Sequence, residues 1–107
     1  MPKYLIEVDY SVEGTKGLLK DGGSKRRQVV EGAVKGAGGK LESFYYTFGT
    51  RDAILIVELP GLEAAMALSM NVGASGSVTL RTTPLISVEE VDKATKIKVS
   101  YKAPGVK

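Results

Sequence analysis

The chain has 107 residues, 43% hydrophobic and 25% charged, with a formal net charge of +3 at neutral pH, a composition that fits one globular domain and neither disorder nor a membrane span. It contains no Cys, His or Trp, which removes disulfides, thiol chemistry, the commonest general base and the usual zinc ligands. Any catalysis would rest on Asp, Glu, Lys, Arg, Tyr, Ser or Thr, or on a bound cofactor.

Tyr4 to Tyr10 alternates with period two. Tyr4, Ile6, Val8 and Tyr10 share one face of a first strand, and Leu5, Glu7 and Asp9 the other. Nothing ahead of it resembles a secretory signal, so a cytoplasmic protein is expected. Thr15–Lys20 predicts a short helical turn closed by Gly22 and Gly23. Ser24 then stands where it can cap a longer helix with Val29, Val30, Ala33, Val34 and Ala37 at helical spacing. Gly38 and Gly39 end that helix in left-handed positions. Gly32 and Gly36 weaken it by about 1 kcal/mol each relative to Ala, a cost that close packing on a sheet would explain.

Residues 40–48 and 52–59 predict two strands of a hairpin. In the first, Phe44, Tyr46 and Phe48 form the apolar set and Tyr45 faces the opposite way. The connection Gly49-Thr50-Arg51-Asp52 suggests a positive φ at Gly49 and local backbone bonding by Asp52. The second strand is apolar on both faces, with Leu55, Val57 and Leu59 on one side and Ile54, Ile56 and Glu58 on the other. Leu62–Val72 predicts a second long helix with Leu62, Ala65, Met66, Ser69, Met70 and Val72 toward the core. Val78–Thr83 is a fourth strand, and Ser87-Val88-Glu89-Glu90 is a capping box that opens a last helix.

The order strand, helix, strand, strand, helix, strand is the α+β, ferredoxin-like βαββαβ pattern in a single domain, residues 1–107. It predicts an antiparallel sheet in the order 4-1-3-2 with both long helices on one face. A strand apolar on both sides needs cover on both. A second copy packed sheet against sheet, as a dimeric α+β barrel, is one cover; the last helix and tail folded back is the other.

Glu7, Asp9, Tyr45 and Arg81 share the uncovered face by parity, with a Glu7–Arg81 pair expected, and form a candidate sheet-face pocket. Ser24, Lys25, Arg26 and Arg27 follow a glycine turn at a helix start and form a candidate anion site. Lys93, Lys96, Lys98, Lys102 and Lys107 outnumber Asp92 at the C-terminus, whereas the preceding ninety residues hold ten basic and eleven acidic groups. This basicity reads as a solubilising tail over about residues 98–107, not as a nucleic-acid or membrane surface. No motif calls for a cofactor or a metal.

Met1-Pro2-Lys3-Tyr4-Leu5-Ile6, Gly17–Gly23 with Arg26-Arg27, Gly38–Glu42, the Tyr45–Leu59 hairpin and Arg81-Thr82-Thr83-Pro84 together resemble the GYD domain family over nearly the whole chain. The family's naming Gly and Asp map onto Gly49 and Asp52, and its Tyr is replaced by Arg51. The resemblance implies a ferredoxin-like fold like that of small dimeric proteins, and assigns no reaction. Two functions are compatible with these features. One is a homo-oligomeric module that binds a small ligand or a protein partner. The other is a cofactor-independent oxygenase or isomerase that uses the sheet face.

Overall fold

Strand β1 (Lys3–Tyr10) follows its alternation: Tyr4, Ile6 and Val8 are buried, and the intervening side chains are half-covered. In this computed structural model, which describes residues 1–105, β1 lies at the centre of a four-stranded antiparallel sheet. Strand β2 (Lys40–Tyr46) pairs with β3 (Ala53–Glu58), β3 with β1, and β1 with β4 (Val78–Pro84). The order β2-β3-β1-β4 is the predicted one. Ala53, Leu55, Val57 and Leu59 are at most 3% exposed, and with Tyr4, Ile6, Val8, Val34, Ala65 and Leu68 they make the core.

Helices α1 (Val12–Asp21), α2 (Gly23–Gly36) and α3 (Leu62–Gly73) precede a terminal α4 (Val88–Ala94). The predicted turn at 15–20 is a full helix, because the Ser11 hydroxyl accepts the Gly14 amide at 3.1 Å and starts it early. Gly22, at φ 84°, divides α1 from α2. Ser24 therefore falls inside the first turn of α2, and the residue at the cap, Gly22, has no side chain with which to cap it. Within α2, Val34 is fully buried while Val29 is half-exposed.

Helix α3 is rotated from its expected position. Leu68 and Ala65 are buried, Val72 packs partly against them, and Leu62, Met66 and Met70 face solvent. Two regular stripes were available to this helix. The 2.8 Å bond between the Ser69 and Thr82 hydroxyls ties the helix to β4.

The hairpin tip also departs from expectation. Phe48 is fully exposed rather than in the core, because β2 ends at Tyr46. Gly49 is not among the glycines at positive φ. The turn is held instead by its flanks: the Thr47 amide donates to the Asp52 carbonyl at 2.9 Å and the Asp52 amide to Val8 at 3.0 Å.

The last helix has the predicted capping box, with the Glu90 amide donating to the Ser87 hydroxyl at 3.0 Å and Glu90 accepting the Ser87 amide at 3.1 Å. These bonds hold the Glu90 carboxyl below the usual carboxylate range. The helix does not fold back over the sheet. The Leu85 amide still continues the ladder to the Lys3 carbonyl at 2.9 Å, but every residue from Thr83 to Gly105 is exposed. The molecule spans 62 × 31 × 23 Å with a radius of gyration of 17.6 Å, against about 13 Å for a compact chain of this length. Val106 and Lys107, the end of the expected basic tail, lie outside the described residues. Among the described residues, no helix is long and apolar enough to cross a membrane.

The glycines separate into two kinds. Gly38 takes the left-handed turn at φ 85°, but Gly39 does not; it is small because its backbone lies on the Glu58 carbonyl and 2.7 Å would separate an added Cβ from Leu59 Cδ2. Gly32, expected to allow close packing, would place a Cβ in open space. Chemical denaturation should therefore show Gly32→Ala raising stability by about 1 kcal/mol and Gly39→Ala lowering it by about 1–3 kcal/mol.

Candidate functional site

The face of the sheet away from α2 and α3 combines apolar and charged groups. Leu5, Ile54 and Ile56 are half-covered there, and Tyr45, opposite Ile54 in register, is 66% exposed. Glu7 and Asp9 project from β1 onto the same face. Arg81 lies directly across from Glu7 on β4. The parity expected from the sequence is thus correct, but the expected ion pair is not the one formed. Arg51, from the hairpin connection, lies over β1, and its Nε is 3.3 Å from Glu7 Oε2 while Nη1 is 3.0 Å from Asp9 Oδ2. Arg81 remains exposed.

This geometry has a local cause. The Asp52 carboxylate accepts the Tyr10 amide at 2.7 Å, which fastens the hairpin connection to the end of β1. The Asp52 side chain is therefore bonded across 42 residues of sequence, while its backbone carbonyl closes the turn with Thr47. With Asp52 fixed there, the preceding side chain falls within reach of the β1 carboxylates. Arg51 thus bridges two acids on the sheet face and offsets one of their two negative charges. Both carboxylates are engaged by one guanidinium.

The second feature lies on the helix side. A cavity of about 90 Å³ opens between α2 and α3 above the sheet. Ile6 and Leu55 form its floor, Val30 one wall, and Leu68 and Val72 the other. Its mouth carries Tyr10 and Arg26. Burial, with Tyr46 beside it, pushes the Tyr10 phenol up to about 12, while the positive charge of Arg26 pulls the other way. The Tyr46 hydroxyl donates to the Gly23 carbonyl at 3.0 Å and fastens β2 to the start of α2.

Helical geometry separates the four candidate anion-binding residues. Lys25 pairs with Asp21 at 3.8 Å. Ser24 and Arg27 border an open surface groove with Tyr46, and Arg26 turns toward the apolar cavity. They are not brought together as one site. Tyr10 and Arg51 were missed as functional candidates from the sequence. The available signals were the core parity of Tyr10 at the end of its strand and two acids on one face that required a cation.

A four-stranded antiparallel sheet in this order, with its helices on one face, defines a ferredoxin-like α+β domain. The chain belongs to the GYD domain family, whose model matches residues 4–95. No curated protein and no solved structure matches the chain.

Two measurements test these sites. A double-mutant cycle between Arg51→Met and Asp9→Asn should give a coupling of about 1 kcal/mol, as for a half-exposed pair. For Tyr10, the folded-state value lies above the ordinary value of 10. Its contribution to stability is complete below pH ~10 and is lost as the pH rises toward ~12. Alkaline denaturation should show this loss, and Tyr10→Phe should remove it.

Proposed function

We propose that this domain is a homodimeric module that binds a small, mostly apolar molecule carrying an anionic group. The observation that carries this reading is the apolar cavity between α2 and α3 with Arg26 at its mouth. Arg26 can bond a carboxylate with two parallel N–H groups, and the neutral Tyr10 phenol beside it can donate a further bond. The cavity is smaller than the roughly 150 Å³ pocket that takes benzene. A short branched aliphatic chain fits it better than a ring or a long chain. The dimeric part rests on the sheet face, where Leu5, Ile54, Ile56 and Tyr45 lie around Glu7 and Asp9, which Arg51 pairs and Arg81 flanks. Such a face suits a sheet-against-sheet partner of the same kind.

Isovalerate tests the ligand class against the neutral alcohol of the same shape, isoamyl alcohol. Isovalerate should raise the melting temperature in a concentration-dependent way, isoamyl alcohol should do so much less, and Arg26→Met should abolish the difference. Equal responses would remove the anionic requirement, and no response to either would remove the cavity as the site. Native mass spectrometry should show the dimer.

A further inference from the structure

The C-terminal segment is the largest surface left unexplained. From Leu85 to Tyr101 it presents Ile86, Val88, Val91, Ile97, Val99 and Tyr101, each at least half-exposed. Its last part alternates: Ile97, Val99 and Tyr101 fall on one side, and Lys98, Ser100 and Lys102 on the other. An extended chain with this period has one apolar edge and one basic edge. A tail whose only task was solubility would have no need of the apolar edge. Helix α4 and Thr95 also lie inside the matched family span, residues 4–95, so the root of this arm is part of the domain although it contributes nothing to the core.

We infer that the arm is an exchanged element: in the dimer, each copy lays Ile97, Val99 and Tyr101 across the sheet face of the other. This rests on the homodimer proposed above and adds to it a specific contact. Each copy has one sheet face, part apolar and part charged, with no helix over it, and one arm with an apolar and a basic edge lacking a floor. An isologous pair satisfies both twice with a single contact. A stable interface takes roughly 20–30 residues a side; strands of 8, 7, 6 and 7 residues turn only alternate side chains to this face, and the arm adds to that number. The β4–β1 ladder, continued by the Leu85 amide on the Lys3 carbonyl, sets the arm off from the sheet edge, and from Ser87 onward it runs outward from its own body. With its apolar edge down, the lysines of the arm face water.

The lack of native cysteine makes the test direct. Full-length Ile54→Cys and Val99→Cys chains are mixed and oxidised, and the double variant is oxidised alone. The arm exchange predicts that the mixture forms a disulfide-linked pair of unlike chains in preference to like pairs. It also predicts that the double variant links between chains. A disulfide within a single chain would show the arm on its own sheet, and the absence of any 54–99 bond would show it elsewhere; either overturns the proposal. As a second reading, Ile97→Asp/Val99→Asp should raise the dimer dissociation constant by at least about 100-fold while leaving the monomer folded, since neither residue belongs to the core. A dimer that survives this change would overturn the arm contact and leave the homodimer standing. A monomer of the native chain that binds anionic lipid vesicles would overturn both.

Discussion

The structure depends on the two-sided apolarity of β3. This strand sits between β2 and β1, with Leu55 and Val57 beneath the helices and Ile54 and Ile56 on the opposite surface. Three helices can satisfy only the first of these surfaces. On the second, the half-covered acids of β1 stand beside isoleucines, and a cation next to them offsets part of their desolvation. The hairpin connection brings it, because Asp52 is bonded to β1 and Arg51 precedes Asp52.

The helix side has a different incompleteness. Helix α2 packs on β2 and α3 on β4, so the two helices flank the centre of the sheet and leave a gap over it. Valines and alanines on α2 and a single leucine with Val72 on α3 are too small to close this gap. Its opening is bounded by Arg26 and by a phenol kept protonated by burial.

The sheet was legible in the sequence because strand parity is a strict rule. Alternation in 4–10 and the apolar run in 53–59 led to the right order, the right faces and the right neighbours, including Arg81 across from Glu7. Helix faces were less legible. Leu62, Met66 and Met70 form a stripe as regular as the buried one, and periodicity within the helix does not say which of the two meets the sheet. The hairpin tip failed for a similar reason. Asp52 has the look of a local turn residue, but its partner is the Tyr10 amide, a contact that local turn rules do not contain. Of the site residues, Arg26 was visible only as one of three successive cations. Which of them turned inward depended on where Gly22 broke the helix.

Arg51 has a consequence for how this domain can vary. Its guanidinium, Glu7 and Asp9 act as one electrostatic unit although they lie on separate segments of the chain. A chain with an uncharged residue at position 51 has no cation there, and its acids at positions 7 and 9 gain from becoming uncharged or from a basic side chain elsewhere on the sheet. Positions 7, 9 and 51 should therefore covary across the family, and the hairpin residue would sort its members into those with a charged sheet face and those with a neutral one. If that face joins two copies, the same substitution would also determine which chains can pair with each other.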